Sequence, residues 1–277
     1  MNYSVSDAWN TEVLLKRAGS SENGEGMSPG APLKELRQYA ELSEPVAANT
    51  ILILGMTVSI RRLALTLCDD VISLDVNEAA HELLGPSVQG DLQLRGNWLE
   101  LPNVLGRTVP LVWGDGIFST MQSREDAEKL LACIYNTLEP GGAAVLRVVI
   151  IPPRIDPTLN YSETLLSRFR VGTVDEPEFS FAMRIFGFLA DSYDKSANIL
   201  DCGVSFDQSR AKVSAGEMTQ DELKVMDRTY YTGKNFIPLH GEWESMCTDQ
   251  GFEVEHLPLT GKDWFDYYTM YRLTKPN

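Results

Sequence analysis

The chain has 277 residues, 43% hydrophobic and 23% charged, which suffices for one full α/β domain with an elaboration and a sizeable core. Its 24 basic and 39 acidic residues leave a formal charge of −15, which argues against a nucleic-acid partner, since phosphate contacts need clustered Lys and Arg; a small molecule suits this field better. Cys68, Cys133, Cys202 and Cys247 lack disulfide or zinc-ligand spacing, and neither a secretory signal nor an apolar run of membrane length is visible; a cytoplasmic protein with reduced thiols, no metal and no membrane association is expected.

Residues 1–45 read as an N-terminal helical unit, with Ala8–Arg17 and Pro32–Leu42 at helical spacing around a polar Gly/Ser/Glu loop. The second segment either caps the sheet edge or covers a ligand. Ile51–Leu54 is a run of buried-strand character, followed by a turn at Gly55, a helix over Ser59–Leu67 and a strand ending on Asp75. That is a βαβ unit, and Asp75 falls 20 positions after Gly55, the place of a carboxylate that binds ribose hydroxyls. The turn Gly55-Met56-Thr57-Val58-Ser59-Ile60 has one glycine, whereas a dinucleotide fingerprint needs three for backbone to approach a pyrophosphate. Met56 and Val58 would obstruct it. A nucleoside without phosphates is favoured, and S-adenosylmethionine fits; the alternative is a βαβ unit that binds nothing.

Asn77–Leu84 reads as a helix, Asp91–Leu94 and Val109–Trp113 as strands, and Ser123–Leu138 as a helix capped by Ser123 and stopped by Pro140-Gly141-Gly142. Ala143–Ile151 is a long buried strand. The alternation predicts a Rossmann-like, doubly wound, mostly parallel sheet over 46–151 and 236–277. It breaks over 152–235, where helices around Ser162–Arg170, Phe179–Ala190 and Thr219–Tyr230 are expected to form a cap insertion. The aromatic run of the middle one lines a substrate pocket, seals the insertion or buries a homodimer contact. A helix over Gly241–Thr248 and a closing antiparallel hairpin of Gly251–Leu257 and Tyr267–Thr274 end the chain.

The ordered set of strand–Gly turn, acidic strand end, G-N-W-L-E-L-P, V-W-G-D-G, L-E-P-G-G and hairpin resembles the class I S-adenosylmethionine-dependent methyltransferases from about residue 50 to 277. The Gly55 turn departs from the usual E/D-x-G-x-G-x-G and is similar to a bacterial subgroup whose turn reads L-G-V-T-P-E. The resemblance implies that Gly55, Met56 and Thr57 line the methionine and ribose, that Asp75 accepts the ribose hydroxyls and that Val76 packs on adenine. Asn97 and Trp98 stand where the family contacts the adenine, although Trp98 is equally placed for the core. Gly114, Asp115 and Gly116 would lie beside the sulfonium, with Asp115 near the amino group or the acceptor, unless it merely serves a turn.

Methyl transfer is an in-line displacement in which orientation supplies much of the acceleration, and an N or O acceptor calls for a general base. Asp115, His240, Tyr230 and Tyr231 are the candidates, with a structural histidine as the alternative for His240; Phe186, Tyr230 and Tyr231 are candidate acceptor contacts. Arg61 or Arg62 at the helix start is expected to add charge for the cofactor carboxylate, or both lie solvated on the outer helix face. The reading is a methyltransferase for a small-molecule N, O or S acceptor, releasing S-adenosylhomocysteine. The alternatives are a relative with lost or changed catalysis and, further off, a nicotinamide dehydrogenase.

Overall fold

Thr50–Leu54 (β1) is buried at every position, as an apolar and β-branched run must be when both faces of its sheet are covered. The computed structural model describes residues 33–44, 46, 48–227, 233–257 and 266–277, with side chains of the first helix described from residue 38. The expected helix Ala8–Arg17 and the candidates Tyr230 and Tyr231 lie outside the described residues. Leu33–Ser43 forms the first described helix, α1. From β1 the chain runs through α2 (Val58–Leu67) into β2 (Asp70–Asp75), parallel to β1 in the register Ile51↔Val71. α3 (Glu78–Leu84), β3 (Leu92–Arg95), α4 (Leu101–Leu105) and β4 (Val109–Asp115) follow. Next come α5 (Arg124–Thr137) and β5 (Leu138–Val149).

The closing elements are α11 (His240–Asp249), β9 (Glu253–Leu257) and β10 (Tyr268–Thr274). Among the described residues the main sheet has the order β3-β2-β1-β4-β5-β10-β9, with β10 antiparallel to both its neighbours. The strands β1 to β5 are mutually parallel. The doubly wound sheet and its antiparallel closure are therefore as the sequence pattern predicts. Chain order reverses between β1 and β4, and the crevice at the carboxyl ends there is where such sheets hold ligands.

The core has two halves, one per sheet face. α1, α2 and the segment after β5 cover one half, which holds Trp113 and Met270; α5 and α11 cover the other, with Trp243 and Tyr271. α5 buries Ala127, Leu130, Leu131 and Ile134, and Ser123 Oγ accepts from the Asp126 N–H as its N-cap. Two local expectations need correction. The Pro140-Gly141-Gly142 triplet does not stop α5; that helix ends at Thr137, and the triplet sits inside β5, where the register with β4 shifts. Gly141 has φ +74° there, open to glycine at little strain.

The second correction concerns the insertion. It contains α6 (Ser162–Arg170), α7 (Glu176–Phe186), α8 (Leu189–Ser192), α9 (Cys202–Ser214) and α10 (Gln220–Met226). The single helix expected over Phe179–Ala190 is thus two pieces. α7 starts earlier because Asp175 caps it, with Pro177 preset for the first turn. The sequence pattern also missed a small antiparallel sheet of β6 (Tyr193–Asp194), β7 (Ile199–Asp201) and β8 (Lys234–Phe236). The aromatic face of α7 rests on the start of β10: Phe181 stacks on Tyr267 and Tyr268 at 5.9 and 5.5 Å, and Phe186 meets Tyr267 edge-on at 4.8 Å. Tyr268 pairs with Val149, so this contact lies at the carboxyl end of β5.

Candidate functional site

The turn after β1 depends on Gly55, whose φ of +115° strains any side-chain-bearing residue. Its N–H donates to Leu74 O at 2.8 Å, and the Trp98 indole Nε1–H donates to the same carbonyl at 2.7 Å. One acceptor at the end of β2 therefore ties together the turn, the acidic strand end and the tryptophan loop. A Cβ on Gly55 would sit 3.9 Å from the Trp98 ring. Trp98 packs against the second core half through part of its surface, the core placement that its sequence position allowed. The bulk of Met56 does not fill the turn, contrary to expectation. Its side chain is 2% exposed and folds into a small apolar cluster with Ala80 and Leu84 of α3. Thr57 then begins α2, its carbonyl accepting from Arg61 N–H.

Asp75 closes β2. Its Oδ1 accepts from the Asn77 N–H at 2.9 Å, and its carbonyl takes the Gly96 N–H at 3.0 Å with His81 Nε2 beside it at 3.0 Å. Burial pushes its carboxyl up to about 6, against the opposing pull of the Asn77 N–H, His81 and the Val76 N–H. Val76, next along, leaves 40% of an apolar side chain at the surface. Asn97 uses Oδ1 to accept the Leu99 N–H, capping the turn Trp98–Glu100.

At the end of β4, Gly114, Asp115 and Gly116 enter a buried polar cluster. Asp115 accepts from the Tyr268 hydroxyl, and Arg147 Nε of β5 lies 4.0 Å from its Oδ1, with side-chain exposures of 6% for the acid and 2% for the base. The Arg147 guanidinium covers the Tyr268 ring at 3.8 Å. Gly116, at φ +66°, donates its N–H to Arg147 O, while the Tyr39 hydroxyl of α1 donates to Gly114 O at 2.9 Å. Burial, then the Asp115 charge, holds the Tyr39 phenol well above its ordinary range. Tyr39, Arg147 and Tyr268 were missed by sequence reasoning. For Arg147 a signal exists: a lone arginine inside Val145-Leu146-Arg147-Val148-Val149 must find a buried partner.

The remaining candidates lie elsewhere. Arg61 does not serve the turn: it is 0% exposed, pairs with Asp91 through Nε and Nη2 at 2.7 and 2.9 Å, and donates to Leu84 O at 2.9 Å. Arg62 Nη2 donates to Ser87 O. Desolvation makes that internal pairing obligatory for Arg61, since a buried guanidinium without a carboxylate is too costly. Asp115 and His240 are not brought together. Tyr268 and Tyr271, three apart on β10, point to opposite faces; the first bonds Asp115, and the second lies 2.9 Å from His240 Nδ1. Phe186 is 4% exposed against Tyr267.

A scan against protein-family models gives no match, and neither does a search of curated proteins. Solved structures do match. A Rhodobacter sphaeroides protein described as a putative Zn-dependent alcohol dehydrogenase is 16% identical over the whole of both chains, with a TM-score of 0.62. The CcbJ methyltransferase from Streptomyces caelestis is 13% identical over 99% of each chain, with a TM-score of 0.57. CalS10, an amino pentose methyltransferase from Micromonospora echinaspora with S-adenosylmethionine bound, is 11% identical over 93% of each chain, at 0.54. With β1 flanked by β2 and β4 and an antiparallel β10 inserted beside β5, the chain has the fold of the class I S-adenosylmethionine-dependent methyltransferases.

Proposed function

We propose that this protein is an S-adenosylmethionine-dependent methyltransferase acting on a small-molecule acceptor. The observation that carries the reading is the double use of Leu74 O, which gathers the Gly55 turn, Asp75, exposed Val76 and Trp98 at one crevice. A half-buried carboxylate beside an exposed apolar side chain and a turn without a Cβ suits a ribose and adenine. Bound there, S-adenosylmethionine would supply an electrophilic methyl group on its sulfonium. Asp75 would accept the ribose hydroxyls, the backbone of Gly55, Met56 and Thr57 would meet the methionine end, and Asn97 and Trp98 would border the adenine. Gly114 and Gly116 would border the sulfonium; a Cβ on the first would meet Ile117 at 2.8 Å, and on the second the Tyr268 hydroxyl at 2.8 Å.

Asp115 already accepts from Tyr268 and lies 4.0 Å from Arg147 Nε, so its carboxylate is engaged inside the protein. We assign it to orienting the cofactor's amino group rather than to general-base work. The stacking of Phe181 on Tyr268 supports a cap role for the described part of the insertion, whose inner surface would meet the acceptor. The small-molecule acceptor draws support from CcbJ and CalS10, the latter an amino pentose methyltransferase, and from the charge of −15. The dehydrogenase description of the Rhodobacter match is not carried over, because the turn after β1 holds the single glycine Gly55 where a dinucleotide fingerprint needs three.

The test is calorimetric binding of S-adenosylhomocysteine. Hydrogen bonds to a charged group contribute about 1.5–3 kcal/mol each, so Asp75→Ala is expected to weaken binding at least about tenfold with the fold intact. Unchanged affinity removes Asp75 from the site. A wild-type chain without a thermal shift at millimolar S-adenosylmethionine overturns the cofactor reading, and binding without S-adenosylhomocysteine release across candidate acceptors selects the relative with lost catalysis.

A further inference from the structure

Across the sheet from Asp115, the start of α11 and the β9–β10 hairpin bring together His240, Glu244 and His256. His240 and Glu244 are four apart on α11 and so share one helix face, with Nε2 and Oε1 3.4 Å apart. His256 lies directly opposite Tyr271 in the β9–β10 ladder, its ring stacked on the tyrosine at 4.7 Å and 5.1 Å from the His240 ring. One ligand atom from each of the three residues falls within 4.8 Å of the others, and all three are half-buried.

The hydrogen bonds behind the rings decide which nitrogens face inward. Thr269 Oγ1 donates to Leu257 O at 3.2 Å, so toward His256 Nε2, 2.9 Å away, it is an acceptor. With the hydroxyl proton given to Leu257 O, Nε2 carries the ring proton and the Nδ1 lone pair is left for the cluster. His240 has Nδ1 at 2.9 Å from Tyr271 Oη, which leaves Nε2 toward Glu244. Each imidazole is thus backed on one nitrogen and open on the other, the arrangement in which metal-binding histidines are held. Tetrahedral bonds of about 2.0–2.2 Å separate ligand atoms by about 3.3–3.6 Å. The His240–Glu244 separation of 3.4 Å meets this already, and His256 needs a shift of about an ångström.

We propose that His240, Glu244 and His256 form a binding site for a divalent transition metal of the Zn2+ class, clamping α11 to the β9–β10 hairpin. Two imidazoles and one carboxylate supply three ligands, and the partial exposure of the set leaves a fourth position for water or an exogenous group. His240 then acts as a ligand, not as a base beside Asp115. The site stands on the other sheet face from the crevice and does not depend on the methyltransferase reading.

The experiment uses the full chain, stripped with a chelator, in the absence of S-adenosylmethionine, with Zn2+ alone titrated against a chromophoric competitor. One ion per chain with micromolar or tighter affinity is expected, and Co2+ should give the intense visible absorption of low coordination number. His256→Ala and Glu244→Gln should each weaken Zn2+ by more than about 100-fold, and Thr269→Val, which removes the support behind His256, by about 10–100-fold. His81→Gln removes the remaining histidine and should leave binding unchanged. Melting curves without metal confirm folding; should His256→Ala unfold, Glu244→Gln decides, since that side chain is 38% exposed. Failure of the wild type to retain an ion at micromolar Zn2+, or equal binding by Glu244→Gln, overturns the site.

Discussion

Replacing Asp91 with Asn isolates a fully buried ion pair between α2 and the start of β3. Arg61 and Asp91 both have side chains at 0% exposure, and their two-pronged contact at 2.7 and 2.9 Å is reinforced by Ser73 Oγ, which donates to Asp91 at 2.7 Å. The amide of Asp91→Asn would keep the shape but leave the guanidinium charge uncompensated, with only the carbonyls of Leu84, Gly85 and Val88 around it. Breaking one side of a buried pair costs about 3–5 kcal/mol. At about 2–4 °C per kcal/mol for a chain of this size, the melting temperature should fall by about 6–20 °C. Urea unfolding at pH 7 with an unchanged m-value gives the free energy directly. Glu78→Gln is the control: its pair with Arg95 has exposures of 65% and 58%, and should matter by less than about 1 kcal/mol. The pair has a pH signature as well. Burial raises the Asp91 carboxyl, but the bonds from Arg61 and Ser73 outweigh it and hold it below its ordinary value. Its contribution is therefore present at neutral pH and lost as pH falls below about 4 through the native value. A loss under about 1 kcal/mol for Asp91→Asn would refute the view that Arg61 is bound to this partner rather than to a ligand.

Cofactor affinity should itself follow Asp75. With the carboxyl raised to about 6, S-adenosylhomocysteine binding should be level above neutrality and fall toward tenfold per pH unit below about 6, a dependence that Asp75→Asn abolishes. The sign for the free protein is opposite: a raised carboxyl adds stability below about pH 4 that is lost as pH rises through 6, which melting curves across that window should show. Tyr268→Phe withdraws a hydroxyl donor from buried Asp115 and should cost about 1.5–3 kcal/mol by chemical denaturation. A change under about 0.5 kcal/mol would show that the acid does not depend on this hydroxyl.

The parallel half was legible because its information is local. Ile51–Leu54 and Val71–Leu74 are runs that admit only a strand covered on both faces, and Ser123 and Asp126 mark a helix start by themselves. α9 was not legible for an equally local reason. Its buried residues are Cys202, Ser205, Phe206 and Ser209, mostly small or polar, so no apolar stripe appears in the chain. At the site, Gly55 and Asp75 could be placed by spacing, but the cluster of Tyr39, Asp115, Arg147 and Tyr268 joins residues 39 to 268 through contacts that only the folded sheet creates. The misassignment of Arg61 came from the same source. Its partner Asp91 is 30 residues away, and nothing in the helix sequence distinguishes a charge that turns inward from one that faces solvent.

Strand β10 carries Tyr268 for one face and Tyr271 for the other, and its pleat makes length, more than composition, the property that neighbouring sites share. Substitution at either tyrosine disturbs one side of the sheet. Insertion or loss of a single residue between them inverts every side chain on one flank of the change, so that either Asp115 or His240 faces a stranger. The two faces are thus free to diverge by exchange of residues while remaining locked together against any change in count. A library that varies β10 by substitution should yield folded chains with either face altered and the other kept, whereas one that varies the length between the two tyrosines should cost one of the two contacts in every member.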